Sequence, residues 1–367
     1  SSGVNSYRAW PCAIEKFPGE LVMDLKKAIA RIVIGQDLTS NEMKGVMQHI
    51  MNGNAEEAQI GAFLVGLRVK NETVEEIKGA VQVMRELVVP VDVSGLDVVD
   101  IVGTGGDRAN LFNISTATSF VVAAAGVKVA KHGNRSVTSN SGAADVLEAA
   151  GVNINLSPKQ VSLCVENVGI GFMFAPVHHP AMRHAVVARK ALGLRTIFNI
   201  LGPMTNPAGS RRQLIGVYSR ELCVPVARVL GELGAQRVMV LHSEDGLDEI
   251  SIVKDTEVVE FDGGKTYNYI LKPQEFGMKH ESLAGLSVKC PKESVKIIMD
   301  SFGEQEHKYA KAAGDIIALN AGAALYVSGT VKNMADGVAL AKETIASGLA
   351  SAKIAQLIDF TQGFKNH

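Results

Sequence analysis

The residues best suited to chemistry lie between positions 103 and 150, where glycines, hydroxyls, amides and a lysine are concentrated. This segment opens on Gly103, Gly105 and Gly106, after a valine-rich run. Glycine adopts positive φ at little cost, and successive exposed N–H groups form a concave anion site. The spacing matches neither the dinucleotide fingerprint G-x-G-x-x-G nor the phosphate loop G-x-x-x-x-G-K-[ST]. We interpret the turn as a candidate phosphate site, with an ordinary tight turn as the alternative.

A run of polar residues follows this turn. It comprises Asn113, Ile114, Ser115 and Thr116. Ser115 or Thr116 is expected to cap a helix whose N-terminus adds a partial positive charge. Simple capping is the alternative. A functional role is favoured because ligands of open α/β sheets bind beyond the carboxyl ends of the strands.

A second turn of similar chemistry closes the next expected strand. It comprises Lys131, His132, Gly133, Asn134 and Arg135, and small polar residues continue to Gly142. Lysine binds phosphate as a point charge, and an amide both donates and accepts hydrogen bonds. A solvated surface turn is the alternative. The repetition of one pattern after two strands favours a shared site for a phosphate-rich substrate.

Two further candidates lie later in the chain. Asp248 and Glu249 follow a third strand, and Mg²⁺ takes one or two carboxylates together with phosphate oxygens and water. A solvated acidic turn is the alternative. Arg189 lies in a helical insertion, where it could pair with a substrate carboxylate or simply face solvent.

The remaining histidines do not suggest a catalytic group. His178 and His179 precede Pro180 without a third metal ligand nearby, so they are interpreted as part of a loop. No Ser-His-Asp or Cys-His arrangement can be assembled by spacing. We therefore assign no general acid or base, and expect electrostatic catalysis by Lys131 and a metal ion.

Composition narrows the class of protein. The net charge of −1 offers no basis for non-specific nucleic-acid binding. Hydrophobic residues make up 47% and aromatic residues only 5%, which is typical of an α/β enzyme core. The four cysteines lie far apart, and no apolar run is long enough to cross a membrane. We expect a cytoplasmic protein that binds neither nucleic acid nor membrane.

The hydrophobic pattern divides the chain into two kinds of structure. Residues 1–22 lack periodicity and are interpreted as an added leader, with a natural extension as the alternative. Residues 23–92 have helical spacing, with capping boxes at Thr39–Glu42 and Thr73–Glu76. Strands and helices then alternate over 93–177 and 196–367, with a helical insertion at about 178–195. The predicted fold is α/β: a small all-helical domain plus a larger domain with a mostly parallel sheet flanked by helices.

Individual elements follow from the same patterns. Strands are predicted at 97–102, 127–130, 152–156, 170–174 and 237–242, and a β-excursion with a turn at Gly263 is predicted at 256–269. Helices are predicted at 180–192 and 222–233, with candidate caps at Ser157, Ser301 and Ser351.

Together these motifs resemble the anthranilate phosphoribosyltransferase family. The likeness rests on G-T-G-G-D, N-I-S-T, K-H-G-N-R, S-G-A-A-D-V-L-E-A and D-G-L-D-E, in this order. The stretch 195–207, R-T-I-F-N-I-L-G-P-M-T-N-P, is far more specific than the others. The resemblance runs from about Met23 to near the C-terminus.

The resemblance implies the nucleoside phosphorylase/phosphoribosyltransferase-like fold and a catalytic centre at the hinge between two domains. It implies transfer of the phosphoribosyl group of phosphoribosyl pyrophosphate to the amine of anthranilate, in tryptophan biosynthesis. It also implies Mg²⁺ and a homodimer formed largely through the helical domains.

The resemblance also assigns roles by position. The implied phosphoribosyl pyrophosphate site comprises Gly103, Gly106, Asp107, Asn113, Ile114, Ser115, Thr116, Lys131, His132, Gly133, Asn134, Arg135, Ser136, Val137, Thr138, Ser139 and Ala143. The implied anthranilate site comprises Gly103, Asn134 and Arg189, and the implied metal ligands are Ser115, Asp248 and Glu249. Two positions depart from the usual pattern: Arg108 replaces a glycine, and Leu111 replaces a threonine that contacts the phosphoribosyl substrate.

Two other functions remain as alternatives. One is a pyrimidine nucleoside phosphorylase of similar architecture, against which the 195–207 stretch and D-G-L-D-E argue. The other is a non-catalytic relative that binds nucleic acid, against which the near-neutral charge argues.

Overall fold

The computed structural model describes residues 23–106, 109–136 and 139–366. Four helices come first: α1 (Leu25–Ile32), α2 (Ser40–Met51), α3 (Glu57–Lys70) and α4 (Val74–Leu87). Both predicted capping boxes are confirmed, since Thr39 and Thr73 each accept a hydrogen bond from the backbone of a glutamate three residues later, and that glutamate's carboxylate accepts one in return. These caps fix the starts of α2 and α4.

Seven strands form one sheet. They are β1 (Val98–Gly103), β2 (Lys128–Gly133), β3 (Ile170–Phe174), β4 (Arg212–Gly216), β5 (Arg237–Ser243), β6 (Thr256–Asp262) and β7 (Lys265–Leu271), in the spatial order β3-β2-β1-β4-β5-β6-β7. The first five pair in parallel, and β6 and β7 add an antiparallel hairpin. The mostly parallel sheet and the β-excursion are confirmed.

Helices cover both faces of this sheet. In the described residues, the helices after β1 are α5 (Ile114–Ala124), α6 (Ala143–Ala150), α7 (Pro158–Asn167), α8 (Ala175–His178), α9 (Arg183–Leu192), α10 (Phe198–Leu201), α11 (Cys223–Glu232), α12 (Pro291–Phe302), α13 (Lys308–Ser328), α14 (Met334–Ala346) and α15 (Leu349–Gly363). No described helix is both long and apolar enough to span a bilayer.

The sheet separates two hydrophobic cores. Successive residues of a strand point to opposite faces. Leu214 and Met239 therefore belong to a core with α5 and α13, while Ile215 and Val240 belong to a core with α1–α4 and α9–α11. The helical insertion α9 packs against α2 and α3, so residues far apart in sequence share the second core.

Several local predictions were wrong. Residues 152–156 form no strand, although Val152, Ile154 and Leu156 are buried, because the amide of Asn153 bonds to Thr361 Oγ1 instead of a neighbouring strand. The Ser157 cap with its following proline is confirmed. The candidate caps Ser301 and Ser351 instead lie within α12 and α15.

Candidate active site

The polar turns found in the sequence meet at one edge of the sheet. β1, β2, β4 and β5 run parallel, so their carboxyl ends lie together. The chain order also reverses between β1 and β4, because β2 and β3 continue on one side of β1 while β4 and β5 lie on the other. Such a switch point is the usual ligand site in open α/β sheets.

The glycine turn after β1 is built against Asp248. The amide of Gly105 donates to Asp248 Oδ2 at 2.8 Å, and the amide of Thr104 donates to the carbonyl of Gly216 at 2.9 Å. A Cβ on Gly103 would lie 2.4 Å from the same carboxylate oxygen. Gly105 and Gly106 have φ of 67° and 80°. Gly103 is thus required for the close approach of Asp248. Gly105 and Gly106 are required because their φ angles are positive.

The turn that carries Asp248 is held by its own hydrogen bonds. Ser243 and Ser251 each donate a hydroxyl to Asp245, at 2.5 Å. Leu247 is buried and anchors the turn in the core. Asp248 is 9% exposed, beside the partly buried Glu249. Asp248 is therefore held at the sheet edge, with Glu249 next to it in the chain.

Lys131 lies buried beneath the glycine turn. Its Nζ donates to the carbonyl of Ile101 at 2.5 Å and to Ser115 Oγ at 3.0 Å. Burial lowers the pKa of Lys131, and the charges of Asp100, Glu249 and Asp248 oppose that shift. The ammonium is thus the positive centre among the acidic groups of the site.

The start of α5 connects the two polar turns. Asn113 is its N-cap, accepting from the amide of Thr116 at 2.8 Å, so the expectation that Ser115 or Thr116 caps this helix was wrong. Asn113 Nδ2 donates to the carbonyl of Ser141 at 2.7 Å. The Ser115 hydroxyl donates to Asn113 Oδ1 at 3.1 Å and accepts from Lys131 Nζ, so it links the helix cap to the buried ammonium.

The turn after β2 divides its residues between the two faces of the sheet. Lys131 points towards α5, whereas the His132 ring contacts the carbonyl of Gly202 at 3.1 Å and lies 4.9 Å from the ring of His179. Arg135 forms ion pairs with Asp145 and Glu148 at the rim. The structure therefore brings Lys131 to the glycine turn and places His132 on the side of α9.

The other predicted binding residues differ in their exposure and in their hydrogen bonds. Ser136 Oγ accepts from the amide of Ser139 at 2.7 Å, so these two serines are bonded to each other. Asn134 is exposed, and its Oδ1 accepts from the amide of Arg135 at 2.7 Å. The side chains of Ile114 and Ala143 are buried, and only their backbone is polar. Four positions singled out in the sequence lie outside the described residues: Asp107, Arg108, Val137 and Thr138.

Arg189 and the imidazoles occupy the side of the cleft formed by α9. The Arg189 guanidinium lies 5.5 Å from the centre of the Phe198 ring. Burial lowers the pKa of His132 to about 3 and that of His179 to about 4, so both rings are neutral at pH 7. Arg189 therefore offers a cation against an aromatic ring, and His132 and His179 add no positive charge at pH 7.

Sequence reasoning gave no role to two residues that the structure places in this region. Arg195 contacts the glycine turn and the ring of Tyr218. Asp100 is buried within β1 and accepts from Asn206 Nδ2 at 2.8 Å and from the amide of His132 at 3.2 Å. Arg195 and Asn206 both belong to the specific 195–207 stretch, which was the available signal.

Comparison with known proteins agrees with this architecture. Residues 26–88 match the helical bundle domain of a glycosyl transferase family, and residues 95–351 match its a/b domain. Anthranilate phosphoribosyltransferase of Cellvibrio japonicus is 56% identical over 340 residues, covering 93% of this chain and 99% of the relative. That of Marinobacter nauticus is 56% identical over 342 residues, covering 93% and 100%.

The chain belongs to the anthranilate phosphoribosyltransferase family.

Solved structures of the family share the fold. The crystal structure of the Thermus thermophilus anthranilate phosphoribosyltransferase has a TM-score of 0.85 and 40% identity, covering 91% of this chain and 99% of that one. The Saccharomyces cerevisiae anthranilate phosphoribosyltransferase, in complex with PRPP (phosphoribosyl pyrophosphate) and Mg, has a TM-score of 0.83 and 28% identity, covering 92% and 98%. The resemblance stated from the motifs is confirmed, and neither alternative function is favoured.

Proposed function

We propose that this chain transfers the phosphoribosyl group of phosphoribosyl pyrophosphate to the amine of anthranilate, releasing pyrophosphate. The observation that carries this is the 56% identity to anthranilate phosphoribosyltransferases over their whole length. The glycine turn, Lys131 and the acidic turn at one sheet edge give the reaction a physical site. In the reaction the bond from ribose C1 to pyrophosphate breaks, and the amine nitrogen forms the new bond.

The donor is proposed to bind along this edge. The N–H group of Gly106 and those at the start of α5 would face the oxygens of the donor, and Lys131 supplies a buried positive charge. Mg²⁺ is proposed to be held by Ser115, Asp248 and Glu249. The donor set fits, because two adjacent carboxylates and a hydroxyl leave the remaining positions of Mg²⁺ to phosphate oxygens and water. When bound, the ion offsets negative charge on the pyrophosphate.

Catalysis is proposed to be electrostatic. The amine of anthranilate is neutral at pH 7 and needs no strong base, so the barrier lies in breaking the glycosidic bond. Negative charge grows on the leaving pyrophosphate as this bond lengthens. Preorganised backbone amides and Lys131 stabilise that charge in a buried site, where such interactions are strongest.

The acceptor is proposed to bind opposite the donor, between the glycine turn and α9. The Arg189 guanidinium would pair with the anthranilate carboxylate, and Asn134 and Gly103 would border the ring. Neutral imidazoles nearby support this placement, because they add no charge that competes for the carboxylate.

We also propose a homodimer. Val33 and Ile34 at the end of α1 and Val69 at the end of α3 are 66%, 70% and 78% exposed. These helices pack against each other, so their exposed aliphatic side chains are candidates for one apolar patch that a second copy would cover. A cytoplasmic location is proposed as well, supported by Cys164 and Cys223, which are buried as free thiols.

A fluorescence assay tests the proposed function directly. Purified protein with phosphoribosyl pyrophosphate and Mg²⁺ should consume anthranilate, and omission of either should stop the reaction. Phosphorolysis of a pyrimidine nucleoside, or salt-dependent DNA binding, would support one of the alternatives if anthranilate remained unconsumed.

A further inference from the structure

Arg195 lies between the helix that carries Arg189 and the glycine turn. α9 ends at Leu192 and is followed by Gly193 in the left-handed conformation, with φ of 60°. The chain then turns back, and Arg195 Nη2 donates to the carbonyl of Gly106. A Cβ on Gly106 would lie 2.8 Å from the same Nη2 atom. A side chain at Gly106 would thus have to displace the end of the Arg195 side chain.

Tyr218 supports the guanidinium from the other side. The Arg195 Cζ lies 4.1 Å from the centre of the Tyr218 ring, within the range of a cation–π contact. The amide of Tyr218 donates to Thr104 Oγ1 at 2.9 Å. Tyr218 is therefore attached to the same glycine turn whose last carbonyl Arg195 contacts.

These contacts form a ring that begins and ends at the glycine turn. The glycine turn is joined to Tyr218 through Thr104, Tyr218 stacks on Arg195, and Arg195 returns to the turn at Gly106. The other side of the turn is joined to Asp248 through the amide of Gly105. The glycine turn is therefore held at Thr104, Gly105 and Gly106, and the carbonyl of Gly106 has a defined direction.

We propose that Arg195 is a positioning residue for the transfer reaction: it fixes the glycine turn relative to α9 and so aligns the donor with the acceptor. This inference rests on the proposed function. Arg189 and Arg195 belong to one short segment, so the residue proposed to bind the acceptor and the residue that orients the donor turn are mechanically linked. Arg195 itself needs no contact with either substrate.

The chemistry of arginine suits this role better than that of lysine. A guanidinium is planar, so it stacks on a ring through its face while it donates hydrogen bonds at its edge. A lysine ammonium could reach the carbonyl of Gly106 but has no flat face for Tyr218. We therefore expect Arg195→Lys to retain part of the function and Arg195→Met to retain less.

The effect should appear in kcat more than in KM. A glycine turn that is no longer held relative to α9 loses the alignment of donor and acceptor on which the transition state depends most. Ground-state binding of the donor also depends on Lys131 and Mg²⁺, which these variants leave intact. Arg195→Met should lower kcat by about tenfold or more while both KM values change by less than about threefold.

The test compares Arg195→Met, Arg195→Lys, Tyr218→Leu and the double variant Arg195→Met/Tyr218→Leu by steady-state kinetics with both substrates varied. Lys190→Met is the matched control, since Lys190 is an exposed cation on α9. The midpoint of thermal unfolding is measured for each protein, and kinetics are compared among proteins whose midpoint is unchanged within about 4 °C. If the midpoint of Arg195→Met falls outside that limit, the kcat and KM values of Arg195→Lys and Tyr218→Leu are compared with those of wild type and Lys190→Met instead.

The proposal expects a kcat loss in both single variants, partial recovery in Arg195→Lys, and a double variant little worse than Arg195→Met. Unchanged kcat in folded Arg195→Met, a rise confined to KM, or losses that multiply in the double variant would each overturn it. Wild-type protein and Lys190→Met must both consume anthranilate. If neither does, the proposed function itself fails, which is a different result from an active wild type with an equally active Arg195→Met.

Discussion

The carboxylate of Asp248 accepts the amide of Gly105 at 2.8 Å, so the acidic turn after β5 and the glycine turn after β1 form one continuous wall. The two residues are 143 positions apart. Gly103 permits this contact, because any side chain there would occupy the position of the carboxylate. This wall thus joins the glycine turn, which is proposed to face an anion, to the carboxylates that are proposed to hold a cation.

Gly103→Ala should abolish most activity. The new Cβ would lie 2.4 Å from Asp248 Oδ2, so the carboxylate or the turn must move. We expect a loss of about 100-fold or more in kcat/KM, comparable with removal of a preorganised donor. Gly61→Ala is the control, since its Cβ meets no atom within 4 Å and the helix should gain about 0.5–1 kcal/mol. Full activity in Gly103→Ala would show that the contact is unimportant.

Glu249→Ala should raise the Mg²⁺ concentration needed for half-maximal rate. Loss of a carboxylate leaves Mg²⁺ with fewer charged ligands, while the Asp248 contact to the glycine turn remains. We expect at least a tenfold shift, since outer and inner ligands of metal sites commonly contribute 10–100-fold. Titration of the initial rate with MgCl₂ measures it, with Glu244→Ala, an exposed carboxylate of the same turn, as control. Identical Mg²⁺ curves for wild type and Glu249→Ala would remove Glu249 from the metal site.

Arg189→Ala should affect the acceptor far more than the donor. A hydrogen bond to a charged group contributes about 1.5–3 kcal/mol, so the KM for anthranilate should rise by about 10–100-fold. The KM for phosphoribosyl pyrophosphate should stay within about threefold, because Arg189 is proposed to contact only the acceptor. Both values come from initial rates with one substrate saturating. An equal rise in the two KM values would place Arg189 outside the acceptor site.

Acid should destabilise the fold through its buried imidazoles. The pKa of His132 is lowered to about 3 and that of His179 to about 4, against about 6.5 when unfolded, so the unfolded state binds more protons at pH 4–6.5. Each ring therefore contributes fully to the free energy of unfolding above pH 6.5. Below pH 6.5 this contribution falls by about 1.4 kcal/mol per pH unit. Burial raises the pKa of Asp100 to about 6, which acts in the opposite direction between about pH 4 and 6 and offsets one ring.

Urea unfolding at pH 7, 6 and 5 measures this dependence. The free energy of unfolding should decrease with falling pH, and His179→Gln should show a shallower decrease than wild type. A slope that His179→Gln leaves unchanged would mean that His179 titrates normally in the folded protein.

Val69→Asp should convert the proposed dimer into monomers. A carboxylate in a covered apolar patch carries a desolvation cost that association cannot repay. Sedimentation velocity measures the outcome, with Val224→Asp on α11, where the valine is 50% exposed, as control. A wild-type monomer, or a Val69→Asp dimer of unchanged affinity, would contradict the proposed interface.

Local patterns in the sequence predicted much of the fold. The capping boxes at Thr39 and Thr73 and the valine-rich β5 depend on neighbouring residues, and all three are present. β4 was not predicted, because Arg212–Gly216 is short and begins with two polar residues. Its place in the middle of the sheet comes from pairing with β1 and β5, which no local pattern encodes.

The same difference between local patterns and long-range contacts applies to the site. Glycines, Lys131 and the acidic pair could be found because each ends a recognisable strand. The 195–207 stretch pointed to Arg195 without giving it a role, because its contact with Gly106 joins residues 89 positions apart. The run 113–116 was correctly placed at the start of α5, but its cap is Asn113 and not Ser115 or Thr116, a choice that depends on side-chain geometry.

A crystal structure of the protein with phosphoribosyl pyrophosphate, Mg²⁺ and anthranilate tests the central claim most directly. We predict pyrophosphate oxygens within hydrogen-bond distance of the glycine-turn amides and of Lys131 Nζ, a metal on Asp248 and Glu249, and the anthranilate carboxylate at Arg189. A donor bound away from the carboxyl ends of β1 and β2, with Lys131 and Glu249 contacting neither donor nor metal, would contradict it.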